Sequence, residues 1–139
     1  MYGPSRVFLQ SGLKQGFRQM SSVKKGTITL VSVNTAPDRA KKVIGGVIER
    51  VKDKYDIVHA GNSTTIEGVR PLLLSTKPTP DVLFCASMWT PDEQDEVQRI
   101  AKETIPGIRT YGIPTGLHTK AGPEGIIQHL SERIDGILA

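Results

Sequence analysis

The segment Thr115-Gly116-Leu117-His118-Thr119-Lys120-Ala121-Gly122 holds the side chains best suited to chemistry: an imidazole and, two residues on, an ammonium. An imidazole can accept or give a proton near neutral pH, and the flanking glycines let such a loop close over a ligand. Three further turns carry a second polar set, in Asn34-Thr35, Asn62-Ser63-Thr64-Thr65 and Ser87-Met88-Trp89-Thr90. The candidate ligand-binding residues are Asn34, Thr35, Ser63, Thr64, Ser87, Trp89, Thr115 and Lys120. His118 is the candidate acid or base, with Lys120 or Ser63 fixing an anionic group. Hydroxyls, amides and helix starts together make an anion cradle. The same residue types also cap helices and build turns, and that reading competes at every one of these positions.

Other reactive types have plainer readings. Cys85 stands inside an apolar run, where a thiol is buried and inert. It is the only cysteine, so neither an internal disulfide nor a cysteine-based zinc site is available, and no metal site is expected. His59 closes a short β-segment and reads as a core or capping histidine, while His129 reads as surface. Trp89, beside a helix start, could cover a ligand or pack the helix.

Named motifs are missing. After the first β-segment the chain runs Asn34-Thr35-Ala36-Pro37-Asp38-Arg39, without the glycines of a dinucleotide fingerprint. There is no phosphate-loop Gly-x-x-x-x-Gly-Lys and no Gly-x-Ser-x-Gly elbow. The acidic strand ends of a phosphorelay receiver and the hydroxyl-rich phosphate loop of flavodoxins are not matched either. No cofactor follows from the sequence.

These residues need elements to position them, and the alternation is legible. Residues 27–34 and 56–60, the apolar 81–88 and residues 108–113 read as strands. Between the first two, Ala40, Val43, Ile44, Val47, Ile48, Val51 and Tyr55 repeat at helical spacing over residues 36–55. Gly45-Gly46 weakens that helix, and close approach to the sheet is the expected compensation. A short irregular helix with Pro71 follows the second strand. Thr90-Pro91-Asp92-Glu93 has a capping threonine, a proline suited to the first helical position, and acids where the helix dipole favours them. Gly122-Pro123-Glu124 opens the last helix, with Ile126, Ile127, Leu130 and Ile134 inward.

Four strand–helix units imply a three-layer α/β fold with a four-stranded parallel sheet, order 2-1-3-4, and helices on both faces. Ligands then sit beyond the carboxyl ends of the strands, where the order reverses. The spare apolar surface of so small a domain leaves room for a homodimer.

Of the chain's 139 residues, 23% are charged and 37% hydrophobic, the profile of one globular domain. No apolar run approaches the roughly 18 residues of a membrane-spanning helix, so no membrane insertion is expected. The net charge of +4 belongs to one end. Five basic residues and no acids precede Gly26, whereas residues 26–139 carry 13 basic and 14 acidic residues. Without a basic face or stacking aromatics on the folded part, nucleic acid is not an expected partner.

Residues 1–22 form a separate N-terminal segment, leaving residues 23–139 as the α/β domain. Leu9, Leu13, Phe17 and Met20 make one helical stripe flanked by Lys14 and Arg18, with several serines. This resembles a mitochondrial presequence, which implies delivery to the matrix. The stretch also reads as an ordinary tail. Translation starting at Met20 would make the protein cytoplasmic.

The strings Tyr55-Asp56-Ile57-Val58-His59, Trp89-Thr90-Pro91-Asp92-Glu93 and Ala121-Gly122-Pro123-Glu124-Gly125-Ile126-Ile127 resemble a group of small fungal Rossmann-like proteins, single domains of flavodoxin-like topology. The resemblance spans most of residues 26–139 and implies the fold alone. The leading functional reading is a domain that binds an anionic small molecule, a nucleotide or phosphorylated metabolite, at the strand ends. The alternatives are an interaction or assembly protein without a ligand site, and a small enzyme using His118.

Overall fold

The computed structural model describes residues 26–139; the presequence reading of residues 1–22 lies outside the described residues. The chain alternates β1 (Thr27–Val33), α1 (Pro37–Val51), β2 (Asp56–Ser63), α2 (Val69–Ser75), β3 (Val82–Cys85), α3 (Pro91–Thr104), β4 (Arg109–Gly112) and α4 (Leu117–Leu138). The sheet is parallel throughout, in the order β2-β1-β3-β4, with helices on both faces as the alternation predicts.

Strand β1 lies inside the sheet and is buried from Thr29 to Val33. Its side chains alternate between two cores, as a strand's period of two requires. Leu30 packs with Val43, Ile44 and Val47 of α1 and Ile126, Ile127 and Leu130 of α4. Val31 and Val33 pack with Leu73 of α2 and Val97 and Ala101 of α3. Phe84, Leu83, Leu30 and Leu130 are among the largest fully buried side chains. Truncating one to alanine costs about 3–5 kcal/mol in such a core.

Helix α3 starts as its sequence indicates. Thr90 Oγ1 accepts from the Glu93 amide and Glu93 Oε1 accepts from the Thr90 amide, a reciprocal cap of about 1 kcal/mol.

Two elements differ from the sequence reading. Strand β2 continues to Ser63 rather than ending near Ala60, because a bulge absorbs one residue: Leu30 pairs with His59, and Val31 with Gly61. The last helix begins at Leu117, not at Gly122. It has two segments joined at Gly122, whose φ of 69° a residue with a side chain adopts only under strain. Pro123 opens the second segment, where its missing N–H costs nothing.

The glycine pair of α1 faces helix α4 and solvent rather than the sheet. A β-carbon on Gly46 would lie 2.5 Å from Ile127 Cδ1, whereas one on Gly45 meets open space. Gly45→Ala is therefore expected to stabilise the fold by about 0.5–1 kcal/mol through helix propensity. Gly46→Ala should lower the midpoint of denaturant unfolding, because the buried Ile127 side chain must move to admit the added methyl. Equal effects from the two substitutions would contradict this packing.

Candidate functional site

Parallel strands bring their carboxyl ends to one rim. Beyond the ladder, Asn34 N donates to Ser63 O, Ala86 N to Val33 O, and Ile113 N to Cys85 O. On the α1/α4 side of this rim lies an inner chamber of about 40 Å³. Its wall is mostly apolar, from Ala40, Val43, Ile44, Phe84, Ile113 and Leu130, with Ser32, Asn34, Ser87, Arg39 and His118 as the polar members. A water needs roughly 10–15 Å³ of such space, so the chamber admits about three waters, or three to four heavy atoms of a ligand. An outer vestibule of about 260 Å³ is lined by Arg39, Val43, His118, Pro123 and Ile126. Four of those five residues also line the chamber, so the two spaces adjoin through Arg39, Val43, His118 and Ile126.

His118 sits on the first segment of α4 rather than in a long open loop. Its Nδ1 lies 2.7 Å from Ser87 Oγ, and its backbone N–H donates to the same oxygen at 3.1 Å. The Ser87 carbonyl accepts from Gly116 N at 2.9 Å. In the tautomer that carries its proton on Nε2, Nδ1 accepts from the Ser87 hydroxyl, whose oxygen accepts the His118 amide.

A second serine–histidine pair has the opposite polarity. Ser32 Oγ lies 2.8 Å from His59 Nε2 and donates to Asn62 Oδ1 at 2.7 Å. Asn62 Nδ2 donates to Asn34 O at 2.9 Å, which fixes the amide with its oxygen toward Ser32. The Ser32 proton is thus committed to Asn62, and His59 Nε2–H donates to Ser32. Burial holds the His59 pKa below the usual histidine range, helped by the charge of Lys41 and opposed by a hydrogen bond with the Gly61 backbone.

Of the residues singled out from sequence, the structure brings Asn34, Ser87 and His118 to the chamber. Asn34 also starts α1, its Oδ1 accepting from Ala36 N at 2.8 Å. Thr35 is exposed at the rim and donates to Met88 Sδ at 2.8 Å. Ser63 is turned away: its hydroxyl donates to Thr65 O at 2.6 Å within its own turn. Thr64 and Lys120 are exposed and line neither space. Trp89 packs in the opposite core, with Nε1 donating to Val33 O at 3.0 Å. Thr115 ties its turn to Trp89 O at 2.8 Å.

Sequence reasoning missed Arg39, Ser32 and Met88 as lining residues. Arg39 is exposed, yet it borders both spaces, and among the described residues no carboxylate forms an ion pair with it. Ser32 was detectable as the one hydroxyl among the buried apolar residues closing β1.

His129 is partly buried rather than free at the surface, with Nε2 2.6 Å from the Tyr111 hydroxyl. Burial, reinforced by Arg133, lowers its pKa. Among the described residues no trio of His, Cys, Asp or Glu is placed to hold a metal ion, and no helix is long and apolar enough to cross a membrane. In comparison with known proteins, no family model matches the chain, and no curated protein sequence matches it.

Two measurements check the electrostatics. His59 and His129 both bind a proton less readily in the folded chain than in the unfolded one. The unfolded state therefore takes up more protons as pH falls, and stability should drop below about pH 6.5, the unfolded histidine pKa. His59→Gln should flatten part of that slope in a pH series of urea midpoints; an unchanged slope would sink the assignment. Burial, with a lesser contribution from the charge of Glu93, pushes the Cys85 thiol up to about 12. Ellman's reagent at pH 8 should thus label Cys85 only after denaturation, and rapid labelling of native protein would refute its burial.

Proposed function

We propose that this protein binds a small anionic molecule with a short apolar body at the carboxyl rim, between α1 and α4. The observation that carries the reading is a cation without an ion-pair partner beside an apolar chamber. An apolar chamber with room for three or four heavy atoms opens into a vestibule bordered by a cation, Arg39, that has no ion-pair partner among the described residues. Arg39 also lies in the first turn of α1, and no side chain caps that helix start. Its dipole therefore adds to the attraction for a negative charge.

The dimensions favour a short acid. A nucleotide base or a long acyl chain exceeds the inner chamber, whereas an acid of about four carbons fits with its charge outward. Nucleotides and phosphorylated metabolites, the wider class suggested by the fold, fit this reading only with their bulk in the vestibule.

Titration calorimetry with acetate, butyrate, hexanoate and octanoate, alongside butanol, inorganic phosphate and adenosine monophosphate, tests the reading. Affinity is expected to peak near butyrate and to exceed that for butanol. Arg39→Ala should weaken butyrate binding about 10-fold, as loss of a charged hydrogen bond of about 1.5 kcal/mol does. Absence of heat with every acid and phosphate would overturn the proposal.

A further inference from the structure

Two serines of the chamber touch a histidine, and only one is arranged to lose its proton. The Ser32 hydroxyl proton is held by Asn62 Oδ1, so His59 is its donor and cannot serve as its base. Ser87 has no such competing acceptor among the described hydrogen bonds: its Oγ accepts the His118 amide and lies 2.7 Å from His118 Nδ1, which takes the hydroxyl proton in the Nε2–H tautomer. A hydroxyl within hydrogen-bond reach of an imidazole acceptor is the arrangement that activates a serine nucleophile. Ser87 is only 3% exposed and lines the inner chamber, while His118 borders both chamber and vestibule.

We propose that Ser87 is an acyl-accepting nucleophile, with His118 as its base, in the hydrolysis of short-chain carboxylic esters. The proposal rests on the preceding reading in one respect: the acyl chain occupies the same chamber as the apolar body of the acid. Ser87 Oγ attacks the ester carbonyl carbon and its proton passes to His118 Nδ1. The carbon–oxygen bond to the alcohol breaks, and the alcohol leaves through the vestibule with the proton from His118. Water then attacks the acyl-serine, giving one proton to His118. The acid is released and Ser87 Oγ regains its proton.

The chamber's size sets the substrate class. An acetyl group has three heavy atoms and a butyryl group five, so short acyl groups match the chamber's room for about three to four to within one atom, whereas an octanoyl group, with nine, cannot be enclosed.

The test treats residues 1–139 with p-nitrophenyl acetate, butyrate and octanoate, and separately with a fluorophosphonate followed by intact mass and peptide mapping. Expected are hydrolysis of the butyrate ester at least about 10-fold faster than the octanoate, and a single adduct on the peptide holding Ser87. Ser87→Ala and His118→Gln should each lower the rate about 100-fold or more. Because Ser87→Ala also removes the acceptor for the His118 amide, both variants are checked for cooperative unfolding and for butyrate binding. His118→Gln keeps that amide contact, so its loss of rate cannot be attributed to a displaced α4. No hydrolysis above buffer, an adduct mapping elsewhere, or full rate in folded His118→Gln would overturn the proposal. Butyrate binding without acylation would overturn it and leave the binding reading standing; absence of binding by every acid and by phosphate would overturn that earlier reading instead.

Discussion

A hydroxyl buried in the central strand must find partners, and the geometry of the rim follows from how Ser32 finds them. Leaving such a group unsatisfied costs about 1–3 kcal/mol. In an unbroken β2, Ile57 and His59 would share the α1 face with Gly61, and Asn62 would point to the opposite side. The bulge at Ala60 reverses the parity. Gly61 then faces α2, where an added β-carbon would lie 2.9 Å from Leu72, and Asn62 joins His59 beside Ser32. The amide of Asn62 passes the constraint on to Asn34 O, and Asn34 Oδ1 sets the entry into α1. One irregular residue in an edge strand thus fixes where α1 starts, and with it where Arg39 stands.

The other half of the rim is tied by β3. Gln94, buried on α3, donates from one amide nitrogen to both Ala86 O and Ile113 O, at 3.0 and 2.7 Å. This clamps the carboxyl ends of β3 and β4 from the α2/α3 side. On the other side Ser87 receives Gly116 N on its carbonyl and His118 N on its hydroxyl. Gly116 and Gly122 both take positive φ, which lets a short helical segment turn between β4 and the long part of α4. His118 is carried on that segment. Its position depends on backbone hydrogen bonds as much as on its side chain.

The fold was legible because its signals are periodic and redundant. Strand–helix alternation, two apolar faces on the buried strands and the Thr90–Glu93 cap all point to one architecture, and each survives a misplaced boundary. The site was legible only in part. Asn34, Ser87 and His118 could be placed at the rim because strand ends gather there. A bulge, however, has no periodic signature: Asp56-Ile57-Val58-His59-Ala60-Gly61-Asn62-Ser63 reads as a strand followed by a turn until the partner strand is known. The same holds for residues 114–122, where two glycines and a proline resemble a loop but punctuate a helix. Ser63 is turned away by that bulge, and Arg39 reads as solvent-facing charge because exposure and bordering a cavity are compatible for a long side chain.

The polarity gradient along the chamber also constrains how a ligand can lie. A carboxylate driven in among Val43, Ile44, Phe84 and Leu130 would lose its hydration with only Ser87, Ser32 and Asn34 to replace it, a cost of several kcal/mol. An acid bound as proposed would keep its charge at the Arg39 level and point its tail inward. A neutral ester carbonyl has no such restriction and can descend to Ser87, where the low dielectric strengthens the serine–histidine hydrogen bond. An acid formed at Ser87 would therefore be unstable at the depth where its ester reacted, and would be drawn outward to Arg39 and the vestibule. On the proposed reading, binding an acid at the mouth and cleaving an ester deeper down would be two positions along one path, separated by the charge that the reaction itself creates.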